Sequence, residues 1–229
     1  MIHFLNYNNN QINFGARIST PKNLSETVCK DILEGKISEH FVPTPKNVIN
    51  LMIKELGTIN PNDKVLEPSA GYGHIAEMLS QQTVLTPNKI DVIEPIEEFR
   101  RTLYKKGFNL VHYNVLNYKP KEKYDKIIMN PPFDNGSDIL HVLHCYSLLK
   151  PKGKLVAILP ESDFIPTKQK GYEKWVKDWL NNGEQREINE HLQDLLRANP
   201  SKTIKLGEAF KNSDVPDDVA TRLVVITKS

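Results

Sequence analysis

The chain has 229 residues, 39% hydrophobic and 25% charged, with a formal net charge of +2. That is enough for one substantial domain with decorations but not for two comfortable ones, and the composition is that of an ordinary globular protein. Near-neutral charge makes no case for nucleic-acid binding by bulk electrostatics, no apolar run approaches a membrane span, the N-terminus lacks a signal-peptide core, and two cysteines outside any metal-ligand spacing fit a reducing, cytoplasmic compartment.

In chain order, residues 1–20 are Asn-rich and read as an irregular arm. Val28, Ile32 and Leu33 share a helical face ahead of Gly35, which predicts a helix over 23–34. Phe41-Val42-Pro43-Thr44-Pro45 is extended by its prolines. Val48, Leu51, Met52 and Leu56, stopped by Gly57, predict an amphipathic helix. From there strands are predicted at 64–67, 89–94, 109–113, 124–129 and 153–159, with helices at 74–81, 96–106 and 139–149. One or two helices over 172–197 and strands at 203–208 and 221–227 follow. The alternation predicts an α/β fold, a doubly wound and mainly parallel Rossmann-like sheet with right-handed crossovers. The last two strands, with no helix between them, predict an antiparallel hairpin at one edge. With no internal repeat or low-complexity linker, the organisation reads as an arm and helix over 1–40 and one domain over 41–229.

Several groups read as structural. His141 and His144, three apart on a helix, point to core or surface rather than metal, and no metal centre is expected. Trp175 and Trp179 read as a core-facing stripe. The lysines at 119–126, 150–154 and 168–177 read mainly as solvated surface, with a few phosphate contacts as the functional alternative.

The most informative segment is Asn130-Pro131-Pro132-Phe133, directly after the apolar run that ends at Met129. Two consecutive prolines cannot extend a strand ladder or enter a helix interior, so the backbone is rigid there, and neither proline carries a competing N–H. Asn130 adds a side-chain acceptor and Phe133 a flat apolar face. Together they suit a planar group bearing an NH2, such as adenine N6. Upstream, Glu67-Pro68-Ser69-Ala70-Gly71-Tyr72-Gly73 closes the first strand of the alternating run with an acidic, glycine-containing turn. This is neither a dinucleotide fingerprint nor a phosphate loop. Glu67 would repel a pyrophosphate but accept from a charged amine. Glu94, at the end of the next strand, stands where doubly wound folds chelate ribose hydroxyls, Pro95 and Ile96 can cover an adenine face, and Asn114 follows the third strand. Each signal alone is weak; their order along adjacent strand ends is specific.

These residues resemble the S-adenosylmethionine-dependent N6-adenine DNA methyltransferases, over roughly 41–228. The resemblance implies a class I methyltransferase fold with S-adenosyl-L-methionine as cofactor. It implies cofactor contacts from Thr44, from Glu67, Ser69, Gly71 and Gly73, from Glu94 and Ile96, and from Asn114 and Leu116. Asn114 stands where the family usually has Asp. The catalytic residues implied are Asn130, Pro131, Pro132 and Phe133, with Phe133 stacking on a flipped-out adenine. Gly207 to Lys211 with Thr221 to Val225 resembles the terminal hairpin of phage-type enzymes, which implicates Phe210 in substrate binding; a core aromatic is the equal alternative. Arg222 is read as a strand residue ahead of a phosphate contact. The partner expected is DNA, single-stranded or duplex with a flipped adenine, and a partner subunit supplying recognition is compatible with the absence of a recognition domain. Protection of mobile-element DNA against restriction is implied by resemblance alone. RNA adenine and protein glutamine are the next substrates, since both present an NH2 on a conjugated carbon, and a non-catalytic subunit is the reading from another class.

Overall fold

In a computed structural model of the chain, the residues described are 42–133, 137–161, 183–211 and 219–229. The predicted arm and 23–34 helix, Cys29, Phe41, the Asp134–Gly136 loop, and Trp175, Trp179 and the lysines beside them lie outside these residues.

The elements are α1 (Lys46–Leu56), β1 (Val65–Glu67), α2 (His74–Gln82), β2 (Ile90–Ile93), α3 (Glu97–Lys105), β3 (Asn109–His112), β4 (Tyr124–Met129), α4 (Ser137–Ser147), β5 (Leu149–Pro160), α5 (Gly183–Ala198), β6 (Ser201–Gly207) and β7 (Thr221–Thr227). They build one seven-stranded sheet in the order β3-β2-β1-β4-β5-β7-β6. β1 to β5 run parallel, while β7 lies antiparallel to both β5 and β6. The terminal pair is the predicted hairpin, with its second strand inserted between β5 and the edge.

Alternate residues of the central strands feed two cores, as a pleat with both faces covered requires. Val65, Val92, Ile128, Val156 and Val225 pack on one face with Val48, Met52 and Leu56 of α1, Ile75 and Leu79 of α2 and Leu103 of α3. Leu66, Ile93, Ile127, Met129, Leu155 and Ile226 pack on the other with Val142 and Cys145 of α4 and Leu192 of α5. Chain order reverses direction across the sheet between β1 and β4, so their carboxyl ends flank the switch-point crevice where open α/β sheets bind ligands.

One boundary differs from expectation. The helix predicted to run to 149 stops at Ser147, and β5 begins at Leu149 rather than 153, because Leu149 pairs with Tyr124 at the start of β4. Pro151 and Gly153 signal a break in the sequence, but the register shift between Tyr124 and Lys126 absorbs it.

Two of the lysines read as surface have a structural task. The Lys126 and Lys154 ammonium groups donate to the Leu56 and Glu55 carbonyls at 3.2 Å each, at the C-terminus of α1. Cations there satisfy orphan carbonyls and complement the helix dipole. Burial, and the charge of Lys154, pull the Lys126 pKa below its ordinary value.

Candidate active site

β1 ends in the buried Glu67, and the chain then turns through Gly71 (φ 52°) and Gly73 (φ 84°) into α2. Gly73 is required twice: its backbone is left-handed, and a Cβ there would meet Leu103 Cδ2 at 2.8 Å and Phe108 at 3.4 Å. Gly73→Ala is therefore expected to destabilise the protein by about 1–3 kcal/mol, read as a lowered denaturation midpoint. A variant as stable as the parent would show that the turn relaxes freely.

The turn is tied down from several sides. The Ala70 N–H donates to the Ile93 carbonyl at 3.1 Å, and the Gly73 N–H to the Ala70 carbonyl at 2.7 Å. The Lys106 ammonium donates to the Tyr72 carbonyl at 2.8 Å and to Glu77 at 2.9 Å. Glu94, only 4% exposed, accepts from the Gly71 N–H at 2.7 Å and from the Ile96 N–H at 2.8 Å. The acid after β2 thus holds the turn after β1 in place, and each oxygen keeps a lone-pair direction for a hydroxyl. Burial raises its pKa, opposed by the two N–H donors. Arg100 braces the same corner through the carbonyls of Glu94 and Pro95.

Glu67 differs from Glu94. It is fully buried, and neither carboxylate oxygen has a hydrogen-bond partner among the described residues. Burial drives its pKa well above the carboxylate range; the nearby Ala76 N–H, short of hydrogen-bond geometry, opposes this and the charge of Glu94 adds to it. A buried carboxylate without a donor is costly unless a cation arrives, so it fits the charged amine of an amino-acid-bearing cofactor. Ser69 is half-buried and its hydroxyl lies 3.4 Å from His141 Nδ1. Burial lowers the His141 pKa to about 4, so the ring is neutral near pH 7. His141 is therefore a neutral neighbour of the turn, a role that its spacing from His144 did not reveal.

At the third strand, Asn114 caps a short 3-10 turn: its Oδ1 accepts from the Leu116 N–H at 2.9 Å. Two of the predicted cofactor contacts, Asn114 and Leu116, stand together there, but in this structure they bond to each other. An adenine N6 amine can still use the second Oδ1 lone pair. Unmarked in the sequence is a polar clasp in which the buried Asp91 accepts from Tyr124 at 2.7 Å and from Asn109 at 2.6 Å, and Tyr118 meets Tyr124 at 2.8 Å. No sequence periodicity marks it, because its members come from three strands and a turn.

β4 delivers Asn130-Pro131-Pro132-Phe133 to the crevice. The Asn130 Nδ2 group donates to Thr44 Oγ1 at 3.1 Å, while Asn130 Oδ1 is buried and has no hydrogen-bond partner among the described residues. The Pro132 carbonyl is held by the Ser137 hydroxyl at 2.8 Å. Pro131 is buried, Pro132 exposed, and Phe133 half-buried against the α1-side core. Phe210 lies 3% exposed within that same core. Arg222 is half-buried on β7 with its Nε enclosed. Among the described residues no cluster of three or more metal-ligating side chains occurs, and no helix is long and apolar enough to cross a membrane.

The methyltransferase small domain family matches residues 48–190. The chain belongs to that family. A tRNA1(Val) (adenine(37)-N6)-methyltransferase of Aliivibrio fischeri is 29% identical over 142 residues, covering 51% of this chain and 60% of that protein. Its counterpart in Vibrio campbellii is 29% identical over 84 residues, covering 34% and 35%. The chain thus spans about 60% or less of the length of these curated relatives, and by name they modify tRNA, not DNA. Among solved structures, Haemonchus contortus phosphoethanolamine N-methyltransferase 2 in complex with S-adenosyl-L-methionine superposes with a TM-score of 0.59 at 14% identity, over 93% of this chain and 60% of that one. A geranyl diphosphate methyltransferase gives 0.55 at 14%, over 79% and 77%. These likenesses show the class I fold predicted from the sequence. The expected DNA substrate, restriction protection and phage-type role find no support among these relatives.

Proposed function

We propose that the chain transfers the methyl group of S-adenosylmethionine to the N6 amine of an adenine in RNA. The observation that carries the reading is Oδ1 of Asn130 at the mouth of the β1–β4 crevice, buried and without a hydrogen-bond partner among the described residues, an acceptor suited to a donor. An adenine amine is a poor nucleophile because its lone pair is delocalised into the ring. Hydrogen bonds from its two protons to Asn130 Oδ1 and the Pro131 carbonyl favour a pyramidal nitrogen and stabilise the positive charge that develops there, the cationic counterpart of an oxyanion hole. When bound, the cofactor supplies an electrophilic methyl group. Glu67 would neutralise its amine, Glu94 would hold ribose hydroxyls, and Asn114 and Leu116 would meet its adenine. The proton becomes acidic only after transfer, so no strong base is required beforehand.

RNA takes precedence over DNA because the curated relatives carry tRNA adenine-N6 activity in their names. The base must come from a single strand or loop, or be extruded from a helix, before it reaches the crevice. Partner, recognition and domain organisation beyond this remain part of the proposal: a chain of +2 net charge gains little from electrostatics alone, and a partner subunit or residues outside those described would complete RNA capture. The deciding experiment offers tRNA, other RNA, single-stranded DNA and duplex DNA with methyl-labelled cofactor, followed by nucleoside analysis. N6-methyladenosine from tRNA is expected. Label confined to DNA would restore the DNA reading, and label only in added protein would point to glutamine.

Phe133 is the stacking face in this proposal. Phe133→Ala should raise the nucleic-acid KM by the equivalent of about 1–3 kcal/mol while leaving cofactor affinity within about twofold. A variant with the opposite pattern, weak for cofactor and normal for RNA, would count against stacking.

A further inference from the structure

The geometry points to Thr44 as a positioning residue that turns the amide of Asn130 so that its oxygen, and not its nitrogen, faces the substrate amine. The inference rests on the proposed amine-methylating reaction and assigns the element before α1 a part in the chemical step, beyond the cofactor contact implied by resemblance.

An Asn amide has an acceptor end and a two-proton donor end of nearly equal shape, and rotation about its last torsion is soft. Only the acceptor end is useful, because a substrate NH2 facing Nδ2 would set donor against donor. Nothing within Asn130 selects the end; the selection comes from 86 residues earlier in the chain, where Thr44 Oγ1 takes the Nδ2 proton at 3.1 Å. Oδ1 is left buried, with no partner among the described residues. Reversal would make Thr44 the donor to Oδ1 and turn the two-proton end toward the incoming amine, so the orientation in which Thr44 accepts from Nδ2 is the one that presents an acceptor.

Thr44 is suited to being a fixed point. It is 8% exposed and stands between Pro43 and Pro45, whose rings restrict the backbone on both sides. The Pro45 carbonyl accepts from the Ile49 N–H at 3.0 Å, which joins the segment to the first turn of α1. α1 is in turn anchored by buried Val48, Ile49, Met52 and Leu56. The hydroxyl is therefore carried by a docked helix, not by the strand that carries Asn130, and the amide is gripped from a second, independent element. Unpaired Oδ1 is then preorganised: no reorientation is needed when the amine arrives.

Thr44→Val keeps the branched shape and removes the hydroxyl. With saturating cofactor and RNA, kcat is expected to fall roughly 5- to 10-fold, and Thr44→Ser to recover most of the rate. A readout independent of turnover is the side-chain NH2 of Asn130 in protein labelled with nitrogen-15 asparagine, recognised by its disappearance in Asn130→Ala. Its protons should exchange slowly with solvent in the parent and in Thr44→Ser, and fast in Thr44→Val. If Thr44→Val does not fold, Thr44→Ala takes its place in both measurements. An unchanged kcat, whatever happens to cofactor affinity, makes Thr44 a cofactor ligand or a bystander and overturns the proposal; so does unchanged amide exchange. If the parent methylates no adenine, the reaction reading fails by itself, while amide exchange still decides whether Thr44 holds Asn130.

Discussion

Asn130→Ala is expected to lower kcat by about 10²–10³-fold or more while cofactor affinity survives, because it removes an acceptor used when charge develops on the amine and no contact needed by the cofactor. Single-turnover transfer with labelled S-adenosylmethionine measures the first quantity and calorimetry the second. Asn130→Asp sharpens the test: it keeps an oxygen but replaces the Nδ2 donor to Thr44 with a second acceptor, so its activity should also fall. Asn130→Ala at wild-type rate would falsify the mechanism. Retained transfer in Asn130→Asp alone would show that the oxygen suffices without the grip on the nitrogen.

Glu67→Gln is expected to do two opposite things. In the cofactor-free protein it should raise stability at neutral pH, because a fully buried carboxylate with no hydrogen-bond partner among the described residues is replaced by a neutral amide. A gain of about 1–3 kcal/mol corresponds to about 2–4 °C per kcal/mol for a chain of this size. The sign with pH follows from the raised pKa of the native carboxyl. The folded state binds the proton more tightly than the unfolded one, so stability falls as pH rises from the ordinary value of 4.5 up to the raised native pKa. The advantage of Gln should therefore be absent near pH 4, where both states are protonated, and grow above it. Toward the cofactor the same variant should lose about 10- to 100-fold in affinity, since a hydrogen bond to a charged group disappears. In the parent, binding should release a proton when the solution pH lies below the native pKa, which calorimetry in buffers of different ionisation enthalpy reads directly. Wild-type affinity in Glu67→Gln would remove Glu67 from the cofactor site.

Much of this arrangement was legible before any coordinates. Hydrophobic alternation and 3.6-residue periodicity are properties of chain neighbours, so β1 to β4, α1 to α3 and the terminal hairpin fell within a few residues of expectation. The motifs were legible for the same reason. Glu67 to Gly73, Glu94 and Asn130 to Phe133 each close a strand, and parallel strands in one sheet bring their carboxyl ends to one edge without further information. The adenine amine proposed as substrate rests on the chemistry of Asn-Pro-Pro-Phe. The polymer that would carry it could not be read from it, because RNA and DNA present the same base edge; the relatives' names give tRNA, the nucleic acid ranked second in the sequence reading.

What the sequence by itself determined, then, is the alternating fold and the row of chemically specific strand ends, because both are written in contiguous residues. Tertiary structure decided how those ends act on one another. Glu94 grips the Gly71 amide, Thr44 grips the Asn130 amide, Lys126 and Lys154 cap α1, and Phe210 turns into the core. Each of these joins residues 23 to 99 positions apart or depends on which face of a strand pair a loop packs against. A hydroxyl, ammonium or phenyl group has many possible partners in the chain, and only the packed sheet selects one.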